Sequence, residues 1–520
     1  MLYRNNSSGN ETALSGPLAF GADVSMLMYL LILVLFAGAR AARGQVRAQG
    51  SSDPDVVFRD RLQAERQEAS NTTTGTQVSY ASDLTASDKS PSWTFPITEL
   101  DKRLPSWIRI GGQYRNRFES QIQIGYTGTN DSYLLDRLRI RAIIQPKPWL
   151  SFRGEVQDAR IFFNHHIPNA NPYEDSWTLW EAYPQFGSST EGRVDVLAGR
   201  QVLLFGDERV IGPSNWTNVG RTFNVARIDF HDPGYRVSVF ASSVVPGENT
   251  DIHNALPGND LYGIYGTFQN IVPEASFEPY LLWRVAPANP ALPEEVGRGH
   301  LNEVTLGLHG KGRLPANFDY DTEFDGQKGS LGRHSIDAWA GYASVGKTFR
   351  NAAASPRTFL ELNYASGTKN PAGHDWNTFD QLYPSNHDKY GFVDLMGRRN
   401  LVQYRTGIEE LPAKKWRLKQ QFEGFWLVTA YDNLYNGSGA IAVPAHPGAN
   451  RHIGNELDII GEYTLDKGVN FGFGYGRVFA GSFLTTTAGN DFQYPYAYFQ
   501  YNFTKSGFHF PISTNQPNYW

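Results

Sequence analysis

The sequence contains no cysteine, which excludes disulfide bonds and thiolate metal sites. It has no long apolar run after residue 40, so no transmembrane helix is predicted in the body of the chain. A membrane role there would require a closed β-barrel, because only helices and closed barrels satisfy their backbone groups in lipid. The formal net charge of -5 is mildly acidic, and we therefore predict no nucleic-acid partner.

The N-terminal part carries one short apolar run, MLMYLLILVLFA, at residues 26–37. The run resembles the core of a signal peptide, and we predict a signal region at residues 1–44, with Met26 or Met28 as alternatives to Met1 for the true start. A short single-span anchor is the alternative. Residues 45–104 are polar and aperiodic, which predicts a flexible periplasmic lead. We assign residues 105–504 to the main domain and residues 505–520 to a C-terminal tail.

The main domain is rich in alternating segments, of which LLDRLRIRAII (residues 134–144) is the clearest. Its arginines occupy every second position, so in a β-strand they would share one face and the apolar side chains the other. About eighteen segments of this kind occur between Trp107 and Phe503, separated by Gly, Pro, Asn and Asp. This pattern predicts an all-β fold.

The connections between these segments alternate in length. Short ones include residues 145–148, 187–191, 232–234 and 411–414, and long ones include residues 161–175, 204–219, 367–398 and 431–453. Transmembrane barrels show this alternation because their periplasmic turns are short and their extracellular loops are long. A soluble all-β protein is the alternative. We predict a transmembrane antiparallel up-and-down β-barrel of about 18 strands in a Gram-negative outer membrane.

The face opposite the lipid would line a water-filled lumen. The predicted anion pathway consists of Arg115, Arg117, Arg137, Arg139, Arg141, Arg153, Arg200, Arg221, Arg227 and Arg405. Arginines in a narrow channel attract carboxylates and other anions. Alternatively, they only brace the wall by pairing with the predicted lumen acids Glu119, Glu155, Glu181, Asp229, Asp319, Asp321 and Glu323. The last three could instead provide a field that prevents an anionic cargo from sticking.

No sequence motif for catalysis or metal binding was found. The sequence has no G-x-S-x-G, no phosphate loop and no D-x-D-x-D-G calcium loop. We therefore predict no catalytic residues, no metal site and no cofactor. Loop acids such as Asp251 could bind calcium, but no sequence motif supports such a site. Because outer-membrane barrels can be enzymes, catalysis is kept as the least favoured function.

Two stretches resemble a known family: VLAGRQVLLFGDERVIGPSNWTNVGRTFNVARIDF (residues 196–230) and FDQLYPSNHDKYGFVD (residues 379–394). Both are similar to the alginate export family of outer-membrane proteins, over about Trp107 to Phe503. The matching positions are Gly199, Arg200, Gln201, Arg209, Asn215, Trp216, Asn218, Arg221 and Arg227, then Asp380, Tyr383, Pro384, Asn386, His387, Lys389 and Asp394. Strict alternation would turn Arg200 to the lipid, so we expect a bulge or strand end there.

The resemblance implies a monomeric barrel with an arginine-rich constriction, through which an anionic, alginate-like polysaccharide leaves the cell. It also implies gating loops, and the second motif fills the longest outer loop, which could enter the lumen or stay at the surface. The predicted partners are the polysaccharide and outer-membrane lipid, with periplasmic secretion partners left open. The alternative function is a general diffusion porin for small anions or sugars.

Overall fold

The computed structural model describes residues 103–187, 192–245, 258–269, 271–287, 299–466, 468–487 and 489–503. The predicted signal region, nearly all of the predicted lead and the predicted tail therefore lie outside the described residues. The described residues form one large β-sheet with very little helix. Among them, no helix is long and apolar enough to cross a membrane.

Eighteen strands form the wall of a barrel. They are β1 (Ile108–Ile122), β2 (Asn130–Lys147), β3 (Leu150–Phe162), β4 (Asp175–Phe186), β5 (Val194–Gln201), β6 (Thr222–Asp232), β7 (Tyr235–Val245), β8 (Asp260–Gln269), β9 (Ala275–Ala286), β10 (Leu301–Leu314), β11 (Phe318–Leu331), β12 (His334–Thr348), β13 (Arg357–Ala365), β15 (Leu401–Ala413), β16 (Trp416–Leu427), β19 (His452–Asp466), β20 (Val469–Ala480) and β21 (Phe492–Phe503). Shorter elements lie in the connections: β14 (Asp375–Trp376), β17 (Leu434–Tyr435), β18 (Ile441–Val443), helix α1 (Ser482–Thr486) and 3₁₀ turns at Ile124–Tyr126 and Pro315–Asn317.

Neighbouring wall strands pair antiparallel in sequence order, and the last strand returns to the first. β1 pairs with β2 on one side, where Arg115 lies opposite Arg137, and with β21 on the other, where Arg115 lies opposite Gln500. The sheet is therefore closed and has no free edge whose backbone N–H and C=O groups would lack hydrogen-bond partners. The predicted antiparallel barrel of about 18 strands is confirmed.

The two faces of the wall have the polarity of a membrane barrel. On β3, Phe152 and Val156 face outward and are 45% and 40% exposed, whereas Glu155 and Gln157 face inward and are buried. A soluble protein would bury the apolar side chains and expose the charged ones. Because the order is reversed here, the outward face suits lipid and the inward face forms a polar lumen.

The alternation of short and long connections holds with three exceptions, the first of which is the short connection 123–129 between β1 and β2 on the long-loop side. β11 and β12 are joined on the long-loop side by only two residues, 332–333, and β12 and β13 are joined on the short-turn side by residues 349–356. Gly332 makes the tight turn with a φ of 55°, a conformation that glycine adopts without strain. The predicted assignment of each connection to one end of the barrel is right. The prediction that short and long connections alternate throughout was wrong.

Strand β20 shows why some positions of the wall are glycine. Phe471 and Phe473 face outward, while Gly472 and Gly474 face inward beneath the rings of Tyr498 and Tyr496 on β21. A Cβ atom at either glycine would overlap the tyrosine ring above it. The glycines therefore let both rings lie close to the wall, which leaves room inside the barrel.

Candidate functional site

Two long connections fold into the lumen and contact each other there. We call residues 202–221, between β5 and β6, loop A, and residues 366–400, between β13 and β15, loop B. The amide of Gly212 donates to the carbonyl of Tyr383 at 2.8 Å, and the amide of Tyr383 donates to the carbonyl of Val210 at 2.9 Å. Ile211 and Tyr383 form a parallel β-bridge. The two loops are thus one inner layer, which contacts opposite parts of the wall.

Loop A lies against an arginine cluster that we define as Arg115, Arg137 and Arg139. Arg115 donates to the main-chain oxygens of Asn215, Trp216 and Thr217 at 3.1, 3.0 and 3.0 Å. Arg137 donates to the oxygen of Asn215 at 3.0 Å and to that of Thr217 at 3.1 Å. Arg139 donates to Asn215 Oδ1 at 2.8 Å. All three guanidinium groups therefore bind peptide or amide oxygens of loop A, and Arg137 and Arg139 also donate to the wall oxygens Gln113 Oε1 and Gln157 Oε1, each at 2.6 Å.

The turn that presents these oxygens is tied to loop B at its start, where the main-chain amide of Ser214 donates to Ser385 Oγ at 2.8 Å, and to the wall near its end. Ser214 and Gly220 have φ values of 49° and 78°, and a Cβ at Gly220 would lie 2.6 Å from the ring of Trp180. The amide of Asn218 donates to the main-chain oxygens of Asp136, Arg160 and Tyr173, at 3.2, 3.1 and 2.9 Å. Glycine adopts the positive φ at position 220 without strain, and the side chain of Asn218, two residues earlier, ties the same end of the turn to the wall.

Trp216 of loop A is enclosed on both faces. The guanidinium of Arg117 lies 4.0 Å from its ring centroid, which is cation–π distance. On the other face, His387 of loop B stacks on the indole, and its Nδ1 lies 2.8 Å from Asp394 Oδ2. Tyr496 meets the indole edge on. The second sequence motif therefore meets the first at this stack.

Loop B lies against an acidic part of the wall. Arg398 of this loop binds both Glu323 and Asp325, with 2.8 Å between the charged atoms in each pair. Earlier in loop B, Asp380 binds Arg284 of β9. The two remaining acids of β11 are also paired. Asp319 binds Arg357 at 2.6 Å, and Asp321 binds His309 at 2.7 Å.

A chain of alternating charges joins both loops to β13, β15 and β16. It runs Lys389, Asp207, Arg209, Glu361, Arg405, Asp388 and Lys419, with successive charged atoms 2.6 to 3.7 Å apart. Burial would raise the pKa of the Asp388 carboxyl, but the charges of Lys419 and Arg405 outweigh it and lower the pKa to about 2. The pKa of Asp207 is likewise lowered, because Lys389 and Arg209 overcome the effect of burial. Both loop carboxylates are thus ionised at neutral pH.

Nearer the short turns, the inward arginines pair with acids of the wall. Arg141 binds Glu155 and Arg153 binds Glu181, each at 2.6 Å. Arg227 and Arg236 share Asp229, at 3.2 and 2.9 Å. Arg141, Arg227 and Arg236 keep 22%, 19% and 28% of their side-chain surface exposed. Ion pairs with wall acids therefore hold these arginines, and Arg141, Arg227 and Arg236 keep part of their side-chain surface exposed.

The comparison with protein families decides the identity. A family model described as alginate export matches residues 106–497. The chain belongs to the alginate export family. No curated protein matches the chain significantly.

Members of this family are outer-membrane channel proteins, and solved structures agree on the barrel. A BenF-like porin from Pseudomonas fluorescens Pf-5 is 10% identical over 76% of this chain and 99% of its own, with a TM-score of 0.53. OccAB3 of Acinetobacter baumannii is 11% identical over 76% and 99%, with a TM-score of 0.55. At these identities the likeness concerns the fold. Family and fold together identify a channel-type β-barrel of the Gram-negative outer membrane.

In this alginate export family barrel, the residues predicted from sequence fall into separate groups. Arg117 pairs with Glu119, while Arg221 donates to the main-chain oxygens of Gly212 and Pro384 and so bridges the two loops. Arg200 is 7% exposed, because Gly199, with a φ of 131°, breaks the alternation of β5 as expected.

Other residues of the alginate export motifs are also inside. Tyr383 donates to Asn259 Oδ1 at 2.9 Å, and Asn386 donates to the main-chain oxygen of Gly437. Sequence reasoning missed Asp207, Arg284, Glu361, Asp388 and Arg398 as site residues. The alternation of inward and outward residues would have identified Arg284 and Glu361, which lie on inward positions of β9 and β13. Nothing in the sequence shows that the loop residues enter the lumen. Within the described residues, no group of three His, Asp or Glu side chains is arranged to hold a metal ion.

Proposed function

We propose that this protein passes an anionic, alginate-like exopolysaccharide out of the cell through its arginine-lined lumen. The observation that carries the proposal is the inward position of Arg141, Arg227 and Arg236 in a barrel of the alginate export family. Partly exposed guanidinium groups attract carboxylates, while their bonds to Glu155 and Asp229 moderate the attraction. A polymer can then move from one arginine to the next without being trapped.

The barrel needs no second copy for this pathway. β1 and β21 of the same chain close the wall, so each chain has its own lumen. We propose that the protein acts as a monomer in outer-membrane lipid, with periplasmic secretion proteins delivering the polymer to the short-turn end.

A general diffusion porin for small anions or sugars is the second candidate. The observation that favours it is the inner layer formed by loops A and B, because a narrowed lumen admits small solutes more readily than a polymer. The two functions differ in what passes and share the attraction for anions.

The experiment is to reconstitute the protein in planar bilayers, measure the reversal potential in a salt gradient and then add polyuronate on one side. The exporter proposal expects anion selectivity and a concentration-dependent block by polyuronate. Anion selectivity without block would favour the porin, and cation selectivity would contradict both the exporter and a porin for anions.

A triple variant tests whether the named arginines set the selectivity. R141Q/R227Q/R236Q should lower the ratio of anion to cation permeability. The matched control is R193Q/R313Q/R350Q, because these three arginines lie at short-turn connections with exposed side chains. Equal loss of selectivity in both proteins would show that the effect is one of overall charge.

A further inference from the structure

Three buried carboxylates lie side by side on the lumen face of β16 and β19. Glu423 of β16 is the cross-strand neighbour of Glu456 on β19, and Asp458 follows two positions later on the same face. All three side chains are fully buried. None of them forms an ion pair with a Lys, Arg or His side chain of the described residues. Because a buried charge is costly unless an opposite charge compensates it, this cluster requires a positive charge.

Two basic side chains that neighbour the cluster bind other acids. Arg405 lies opposite Glu423 in the pairing of β15 with β16, but its guanidinium binds Glu361 at 2.7 Å. Lys419 of β16 binds Asp388 of loop B at 2.6 Å. The chain of alternating charges described above has four basic groups and three carboxylates. Together with the three acids of the cluster, it leaves this region with a net charge of -2 when every group is ionised.

Four oxygen atoms of the cluster and its neighbours are buried and accept no hydrogen bond from the described residues. They are Glu456 Oε2, Asp458 Oδ1, Gln403 Oε1 and Gln421 Oε1. The two glutamine amides belong to the cluster, because both donate to Glu423 through Nε2. Gln421 also donates to Asp458 Oδ2 at 3.0 Å. Oxygen atoms are thus in excess of donors at this place.

Two glycines border the unused carboxylate oxygens. Gly476 lies opposite Asp458 in the pairing of β19 with β20, and a Cβ atom there would lie 2.7 Å from Asp458 Oδ1 and 3.9 Å from Glu456 Oε1. Gly391 of loop B lies against the other acid, since a Cβ atom at its position would overlap Glu456 Oε2. Neither glycine has a side chain that could fill the place beside these oxygens.

We propose that Glu456 and Asp458 bind an alkali cation, Na⁺ or K⁺, beneath loop B. The ligands are their unused carboxylate oxygens, joined by the amide oxygens of Gln403 and Gln421. Hard cations prefer oxygen ligands, and a singly charged ion suits two carboxylates with neutral amides. Both oxygens of Glu423 accept from the glutamines, so no third carboxylate completes a multivalent metal centre among the described residues.

The ion stabilises the wall at the place where loop B lies on it. The main-chain amide of Val393 in loop B donates to Glu456 Oε1 at 3.1 Å, on the same carboxylate that binds the ion through Oε2. The ion lowers the cost of keeping Glu456 and Asp458 ionised in this buried position. The stability of the barrel therefore depends on alkali cations, whatever solute the channel carries.

Unfolding in urea tests the site on the whole protein in lipid vesicles at pH 7. Na⁺ or K⁺ replaces N-methylglucamine at constant chloride, because the organic cation is too large for a buried site. A ligand that binds only the folded protein stabilises it as its concentration rises. Above the dissociation constant, we expect each tenfold rise in Na⁺ or K⁺ to raise the folding equilibrium constant by up to about tenfold. Equal stability in all three salts would overturn the proposal and assign the positive charge to protons.

A double variant locates the effect. E456Q/D458N removes both charges and keeps the side-chain shapes, so its stability should not depend on the cation. The matched control is E181Q, which removes a carboxylate of β4 that binds Arg153 at 2.6 Å, and it should keep the dependence of the wild type. A dependence that persists in E456Q/D458N would place the ion elsewhere and contradict the proposal.

Crystals of the wild-type protein make the test independent of how well the variants fold. Rb⁺ is an alkali cation with strong anomalous scattering. In crystals grown in its chloride, we expect an anomalous difference peak that contacts both Glu456 and Asp458. Crystals grown in N-methylglucamine chloride should lack the peak. Absence of the peak from the Rb⁺ crystals would contradict the assignment of the site.

Discussion

The indole of Trp216 and the imidazole of His387 stack with their ring centroids 3.9 Å apart and their planes 4° from parallel. The two residues belong to different loops, 171 positions apart by their numbers, and each comes from one of the two family motifs. Arg117 of the wall covers the other face of the indole. The stack therefore joins loop A, loop B and the barrel at one point.

Removal of the stack should loosen the inner layer. In W216A, we expect a larger single-channel conductance and faster amide exchange at residues 384–390, because loop B loses its flat contact with loop A. H387F is the matched control, since it keeps a ring on the indole and loses only the interaction with Asp394. Wild-type conductance in W216A would show that the stack does not limit the channel.

Loss of Arg398 should destabilise the barrel. This guanidinium lies between Glu323 and Asp325, and its removal leaves two buried carboxylates beside each other. We expect R398M to lower the free energy of unfolding by about 3–5 kcal/mol, measured by urea denaturation in lipid vesicles. The neutral triple variant R398M/E323Q/D325N should recover most of that loss. A triple variant as unstable as R398M would mean that packing, and not charge, dominates at this position.

The Asp388 carboxyl should make the anchoring of loop B sensitive to acid. Its pKa in the folded protein is about 2, against an ordinary value of 3.8, so the stabilisation is fully present above pH 3.8 and is lost as the pH falls through about 2. The difference corresponds to about 2 kcal/mol. Protection of residues 386–393 against amide exchange, corrected for the intrinsic rate, should be equal at pH 7 and pH 5 and fall below about pH 4. D388N should lack this fall, and an equal fall in both proteins would assign it to another group.

The glycines of β20 should not tolerate a methyl group. A Cβ at Gly474 would overlap the ring of Tyr496, so we expect G474A to cost about 1–3 kcal/mol and to shift the ring toward Trp216. Gly326 of β11 is the control, because nothing lies within 4 Å of its Cβ position. Unfolding in urea compares the two variants. Equal stability would show that the tyrosine ring moves without cost.

The fold was predictable because successive side chains of a strand point to opposite faces of the sheet, and because lipid requires apolar side chains on the outer face. The alternation around Arg137 sets which residues face inward, and the order of short and long connections sets the direction of each strand. The two-residue turn at Gly332 was not predicted, because it lies within a long alternating run of residues that resembles one continuous strand. Its tightness depends on one positive φ.

The site was predictable only in part. Parity identifies Arg115 and Arg141 as inward residues, but it cannot tell that one binds carbonyl groups of loop A and the other a carboxylate of β3. That distinction depends on contacts between residues about 100 positions apart, such as Arg115 and Asn215. The loop members of the charge chain, Asp207 and Asp388, escaped for the same reason, since loop residues have no periodicity that reveals their neighbours.

Transport itself is the most direct test of the central claim, that an anionic polysaccharide passes through this lumen. The measurement is release of fluorescently labelled oligouronate from liposomes containing the reconstituted protein, beside a neutral oligosaccharide of equal length. We expect release of the oligouronate at a rate well above that of the neutral sugar, and a lower rate in R141Q/R227Q/R236Q. Equal release of both sugars, or retention of the oligouronate, would contradict the account.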